Sequence, residues 1–570
     1  MKIPSAGDLA MRTSHSLSWA VFACLVVVAC ESEPPITISG TLVGHDGQPM
    51  RMAHVHLAYP ADPWDALESA QVDEDGSFVL EARASGALEM RFTGVNHGLA
   101  SFPLIVDRAL DLSVDVQLAV LEYEEDCAAV EVAGDFNEWS ADSALAMEPQ
   151  PDGTYVLTID TEEQAVAYQL LHVAAARGSV NGTHSDRFEY DGQGDYRSIV
   201  NVVDGSVTIT FDPARLVRSD AEQTIAFADP TSRAARLNAI MTEYGEQEES
   251  FYETWKESEQ SYDAFEYDWS DYADGLAGRL AQEEDSLVRQ ALAAAFLTVA
   301  ADAEVDTSAS RHALDLVPPS SPVWSYLGSM VQYAVPAGLG RTGEGIPEDT
   351  AGFFDAYVAY MEQGVAEHAD AEVRAFMLGG MVEVASELKR PDELIEYYDR
   401  LSSEYSDSDA AGWAREYAPD FPIQAGKPVP EFSWVSADDP GATYTREAFL
   451  GKVYVLDFWA TWCVPCVATM GELHELHEEF GSKGLQIVSI SFDRDSSDIR
   501  EFRENRWPMP WLHTWAGSRE LDTEAVAQFE IWGVPTMVLV DAEGTIVSGG
   551  TGLNPESVRE ELLTVFGESQ

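Results

Sequence analysis

Hydrophobic and polar residues alternate with a period of two in short runs over the first part of the chain. "ITISGTLV", "MAHVHLAY", "GSFVLEA" and "LEMRFTGV" are such runs, separated by the turn-forming stretches "HDGQP" and "DEDGS". One apolar and one polar face per strand is the pattern of a half-buried sheet, so residues 31–120 are expected to form a β-sandwich-like domain. The alternation continues through "VEVAGDFNEWS", "DGTYVLTID", "VAYQLLHV" and "DRFEYDGQGDYRSIVNVV", which predicts a second β-sandwich-like domain over 121–212.

The period then lengthens. Trp255, Tyr262, Phe265, Trp269 and Tyr272 recur at multiples of three to four residues in otherwise acidic sequence, predicting one aromatic stripe on one helix. Val373, Met377, Met381, Val384 and Leu388 form a second stripe, and Leu394, Tyr397, Leu401 and Tyr405 a third. Pro391 suits the first turn of that last helix. Residues 213–423 are therefore expected to be an all-α region, a bundle or short solenoid. "GLGRTG", residues 338–343, fits a dinucleotide-binding pattern by letter but follows helical rather than strand-like sequence, and is not read as a site. From 424 to 570 strand-like and helix-like runs alternate: "KVYVLDFWA", a helix from Pro465 to Phe480, "LQIVSISFD", a helix around "SSDIREFREN", a hairpin in "GVPTMVLVDAEGTIVSGGTG" and a closing helix in "NPESVREELLTVFG". That order predicts an α/β domain.

Charge and cysteine usage narrow the function. The 570 residues carry 99 acidic side chains against 33 Lys and Arg, a formal charge of −66, which would repel a phosphate backbone and excludes nucleic acid as a partner. An apolar run from Leu17 to Ala29 is too short to span a bilayer and suits an export signal over residues 1–30. Val27-Val28-Ala29-Cys30 resembles a bacterial lipobox, which implies lipid attachment at Cys30 and a membrane-anchored protein on the periplasmic side of a bacterial cell envelope. With Cys24 and Cys30 in that segment, Cys127, Cys463 and Cys466 remain. They are too few for a disulfide framework. A zinc site would need further ligands at metal spacing, no second CxxC exists, and His474 and His477 are expected on a helix surface, so no metal is expected. Cys127 reads as a small buried hydrophobe. Redox chemistry is what the pair in "FWATWCVPC" is left to do.

Three resemblances sharpen these expectations. Residues 31–120 resemble carboxypeptidase-regulatory-like β-domains. Residues 121–212 resemble the immunoglobulin-like glycogen-binding modules, in which a Gly-Asp-Phe-Asn turn would present Trp139 to a sugar. Gln169 stands where that family has a basic residue, "NGTH" ahead of Asp186 where it has a second Trp, and Arg197-Ser198 near its ligand Asn. These departures argue against glycan binding and for a spacer role. The helical stretch looks like tetratricopeptide-type hairpins without a strict repeat.

The third resemblance covers about 145 residues. "GKPVPEFSW", "LGKVYVLDFWATWCVPC" and "GVPTMVLVDAEG" resemble, in that order, the thioredoxin fold of exported TlpA/ResA-type thiol-disulfide oxidoreductases. The resemblance implies a redox-active Cys463–Cys466 disulfide and no other cofactor. A sulfur at a helix N-terminus faces unpaired N–H groups and the positive end of the helix dipole, which makes Cys463 the expected nucleophile and Cys466 the resolving thiol. Asp457 matches the thioredoxin aspartate that takes a proton from the resolving cysteine. Pro535 matches the cis-proline opposite the cysteines, with Val534 offering its backbone to a substrate. Val464 and Pro465 fill the loop between the sulfurs, and Trp459 and Trp462 are expected to wall them. Thr469 replaces a Glu common in the family. The implied partners are disulfides of exported proteins, for instance apocytochromes, and a membrane thiol electron donor. Two alternatives stay open: a non-catalytic surface lipoprotein, and a peroxiredoxin-like peroxidase, against which Ala460 counts, since a Thr would be needed there.

Overall fold

The computed structural model describes residues 33–567 apart from 125–126, 128, 175–178, 193–194, 259–264, 304, 344, 440, 494–495, 517–523, 532 and 551–552. The segment read as an export signal, with Cys24 and Cys30, and the stripe residue Tyr262 lie outside the described residues. The chain is multidomain, with many β-sheets, a helical middle and a C-terminal thioredoxin-like domain.

The first alternating runs form two four-stranded sheets. One orders Thr224–Phe227, Leu110–Gln117, Pro35–Val43 and Ser77–Arg83; the other orders Asp62–Gln71, Ala53–Tyr59, Gly86–Gly94 and Ala100–Val106. Their apolar faces, including Ile36, Ile38, Phe78, Phe92 and Phe102, meet in one core. Pro35–Val43 runs parallel to Leu110–Gln117, and at Gly40 a Cβ would fall 1.6 Å from the Val114 carbonyl oxygen; only glycine admits that approach. The edge strand corrects the sequence reading, which made everything from 213 helical. Thr224–Phe227 pairs antiparallel with Leu110–Gln117, and the first α-helix of the middle region starts at Arg233. Four residues are too few to display a period, and the partner strand lies more than a hundred residues upstream.

Residues of 121–212 build two further sheets around a separate core of Val132, Tyr168, Leu170, Ile209, Phe211 and the buried Cys127. A polar seam joins the two β-units. His54 Nδ1 lies 2.8 Å from the Tyr196 hydroxyl, and Asn96 exchanges two hydrogen bonds with the backbone of Asn181.

In the helical region Val373, Met377, Met381 and Val384 are buried on one helix, Ala371–Glu387, and Pro391 opens the next, Pro391–Glu404. The aromatic stripe is divided. Trp255 belongs to the helix Arg233–Ser258, whereas Trp269 caps the next helix, Ser270–Leu280. Asp and closely spaced aromatics have low helix propensity, so spacing alone misled. The rings still converge, with Phe251 5.6 Å from both Phe265 and Trp269. "GLGRTG" follows the helix Val331–Gly338. Contacts on both sides tie the helices to their neighbours. Tyr326 sends its hydroxyl to the backbone of Leu88 and Leu104 in the second sheet, and Arg415 pairs with Glu530 of the C-terminal domain at 2.9 Å.

That last domain is a five-stranded sheet in the order Leu512–Trp515, Gln486–Ser491, Tyr454–Trp459, Thr536–Val540, Ile546–Gly550. The first three strands run parallel and the last two antiparallel. Tyr454–Trp459 is buried along its whole length, as expected of a central strand in a sheet covered on both faces. This central strand hands the chain to the cysteines.

Candidate active site

Four residues, Ala460 to Cys463, carry the chain from the central strand into the helix Val464–Ala468. The helix breaks at Thr469 and resumes as Met470–Phe480, so the single helix expected from Pro465 to Phe480 is two. Cys463 is the N-cap, and the Cys466 N–H points at its sulfur at 3.1 Å. Pro465, at the first turn, has no N–H to compete for that sulfur. Cys463 and Cys466 are joined by a disulfide. Only 4 % of Cys463 reaches solvent, and Cys466 is more deeply buried. Thr469, in place of a carboxylate, donates its hydroxyl to the Cys466 carbonyl at 3.1 Å.

Asp457 lies on the central strand, 1 % exposed. Burial disfavours its charged form and pushes it up to about 7, while a hydrogen bond from the Ser489 hydroxyl at 2.7 Å works the other way. Ser489 sits directly beside Asp457 in the parallel register, and its oxygen accepts the Trp511 indole N–H at 2.9 Å. Neither Ser489 nor Trp511 stood out in the sequence. A small polar residue inside "LQIVSISFD" could have marked a partner for the acid on the neighbouring strand.

The Val534–Pro535 peptide is cis. Phe458 pairs with Thr536, which puts Pro535 one residue further, at the end of the sheet where the central strand turns to the cysteines. Trp462 is 41 % exposed and Val464 is exposed as well. Trp459 departs from expectation: it does not wall the sulfurs from outside but is fully buried against Phe502, ring centroids 5.3 Å apart. His474 and His477 are half-buried rather than on the surface, packed on Trp511 at 4.9 and 5.6 Å. Among the described residues no three His, Cys, Asp or Glu side chains gather as a metal site.

The residues singled out in the second β-unit are already engaged. Arg197 lies over the Trp139 ring, 4.8 Å from its centroid. Gln169 donates to Asp195 and to the Tyr196 carbonyl and accepts from Ser179, and Asp186 takes two bonds from Asn201. Sugar stacking on Trp139 would have to displace the arginine.

Comparison with known proteins points to the same end of the chain. Residues 451–546 match the family described as Thioredoxin-like. The thiol:disulfide interchange protein DsbE of Tatumella citrea is 30 % identical over 151 residues, which are 25 % of this chain and 74 % of that protein. The protein of the same name from Vibrio cholerae is 30 % identical over 146 residues, with the same coverage. The thiol-disulfide oxidoreductase ResA of Bacillus subtilis is 24 % identical over 147 residues, 25 % of this chain and 76 % of that one. Among solved structures, the C-terminal domain of a thiol-disulfide oxidoreductase from Bacteroides thetaiotaomicron is 24 % identical, covering 26 % of this chain and 99 % of that one, at a TM-score of 0.23. Through its last quarter the chain belongs to the thiol:disulfide interchange proteins, and it is a thioredoxin-like oxidoreductase.

Proposed function

We propose that this protein is a membrane-anchored reductase of disulfides in exported proteins, lipidated at Cys30 and using no cofactor beyond the Cys463–Cys466 pair. The observation that carries the reading is the N-cap placement of Cys463, with the Cys466 N–H on its sulfur at 3.1 Å. A thiolate there gains a hydrogen bond and the helix dipole, and Cys466, inside the first turn, gains neither in the same way.

In the reduced protein the Cys463 thiolate attacks one sulfur of a partner disulfide. A mixed disulfide forms and the partner's other sulfur leaves as thiolate. Cys466 then loses its proton and attacks Cys463, which restores the ring disulfide and releases the partner with both cysteines reduced. Asp457, neutral or charged near pH 7, is the group suited to take the Cys466 proton. Trp462, Val464, Pro465 and the Val534 backbone beside Pro535 form the face that meets the partner. A membrane thiol donor must return two electrons per cycle. Asp457 does not stabilise a thiolate as a cation would, and the Val464-Pro465 loop holds no histidine, which supports a potential of about −200 to −270 mV, on the reducing side.

Insulin reduction by the full chain, driven by a dithiol, tests the reading. Turnover abolished by Cys463→Ser is expected, together with a potential in that range against glutathione buffers. A potential near −120 mV would make the protein an oxidant of thiols, and absence of turnover would favour the non-catalytic alternative.

A further inference from the structure

A second acid is buried beside the disulfide loop, and the mechanism above does not use it. Asp493 follows the strand Gln486–Ser491 and is 1 % exposed. Among the described residues its carboxylate accepts from Thr461 and Ser491. The Thr461 N–H reaches both oxygens, at 3.1 and 3.2 Å. The Thr461 hydroxyl donates to Oδ1 and the Ser491 hydroxyl to Oδ2, each at 2.7 Å. The Asp493 N–H donates back to Ser491 Oγ at 3.0 Å.

Thr461 lies two residues before Cys463, in the loop that must turn the chain from strand into helix. Its N–H has no ladder to join, and a half-buried backbone donor needs an acceptor. Asp493 provides it. From the other side the Cys463 N–H closes on the Ala460 carbonyl at 3.2 Å. The short loop is thus pinned at residue 461 by a carboxylate and at residue 463 by its own backbone, and those two bonds set where the Cys463 sulfur sits above the helix terminus. The same residue reaches further along the sheet end: the Asp493 carbonyl accepts the Trp515 indole N–H at 2.7 Å. Trp515 keeps 39 % of its surface in solvent, in the register row that also holds Trp459 and Ser491.

We propose that Asp493 is the positioning residue of the disulfide loop, acting through Thr461 to hold Cys463 in line for attack. The proposal rests on the thiol-exchange reading, but its first readout does not. Reactivity falls steeply when a nucleophile is displaced by an ångström, and a carboxylate that clamps the loop is where such a displacement would begin. Asp493→Asn keeps the size and turns one acceptor into a donor that would face other donors.

The full-length protein is reduced, and the rate at which iodoacetamide labels Cys463 is measured for the parent, Asp493→Asn, Thr461→Val, Thr461→Ser and the Asp493→Asn/Thr461→Val pair. Insulin reduction gives kcat and KM for the same set. Asp493→Asn is expected to slow labelling and lower kcat by about 10- to 100-fold with KM within about twofold. Thr461→Ser, which keeps both donors, should retain the parental labelling rate, and the double variant should be no slower than Asp493→Asn alone. Parental labelling and turnover in Asp493→Asn overturn the proposal, as do losses in the two single variants that multiply in the double one. Should Asp493→Asn fail to fold, Thr461→Val decides: a labelling rate equal to the parent's overturns the proposal. A parent that labels normally but does not reduce insulin defeats the thiol-exchange reading and leaves the role of Asp493 to the labelling rates.

Discussion

Ser489 donates its hydroxyl to Asp457 at 2.7 Å across two parallel strands, and this bond opposes the burial that holds the carboxyl near neutrality. An acid raised from its ordinary 3.8 to about 7 binds its proton more tightly in the folded chain than in the unfolded one. Its favourable contribution is complete below about pH 4, is lost as the pH rises to about 7, and changes no further above that. The span corresponds to as much as about 4 kcal/mol.

Asp457→Asn removes this pH dependence. Hydrogen exchange of the Val455–Phe458 amides, which reports the local unit without requiring the whole chain to unfold together, should show the variant more protected than the parent at pH 8 and equal to it near pH 4. A difference that stays constant over that range would contradict the burial account. The same variant should slow the resolving attack by Cys466 and leave the first labelling of Cys463 unchanged.

Ser489→Ala should move the acid in the opposite sense to exposing it. The hydroxyl favours the carboxylate, so its loss raises the midpoint above about 7. The Trp511 indole N–H would lose its acceptor as well, with a destabilisation of about 1–3 kcal/mol. Carboxyl resonances followed by NMR titration check the direction, and a fall in the midpoint would refute it.

The disulfide centre was legible because two signals coincide in a short span: an apolar strand, then a helical period that begins at the cysteines. Asp457 was legible for a related reason, since a carboxylate inside a strand with no polar alternation has no solvent face to occupy. Asp493 gave no such signal. An acid just past a strand end usually reaches water, and only the loop folding back from the adjacent strand buries it. Ser489 likewise acquires meaning only from the register that sets it beside Asp457. The same limit hid the strand Thr224–Phe227 and Tyr326, whose partners lie far away in the sequence, whereas helix stripes such as Val373–Met377–Met381 carry their partners' geometry in their own spacing.

Tyr326→Phe tests the junction between the helical region and the second sheet. The Tyr326 hydroxyl accepts the Leu88 N–H at 3.0 Å and has the carbonyls of Leu88 and Leu104 within reach. Phenylalanine would leave that buried N–H without its partner, at about 1–3 kcal/mol. Faster exchange of the Leu88 amide, with Cys463 labelling unchanged, is the expected result. Unchanged exchange would mean that the hydroxyl does not hold the junction.

The most direct test of the central claim is to trap the intermediate. Cys466→Ser removes the resolving thiol, so the full-length variant expressed from residue 1 should accumulate mixed disulfides with exported proteins, and mass spectrometry should find every linkage at Cys463, released by reductant. Cys463→Ser should give no such adducts. Adducts formed through Cys466 in Cys463→Ser, or none in Cys466→Ser, would contradict the assignment of Cys463 as the attacking sulfur.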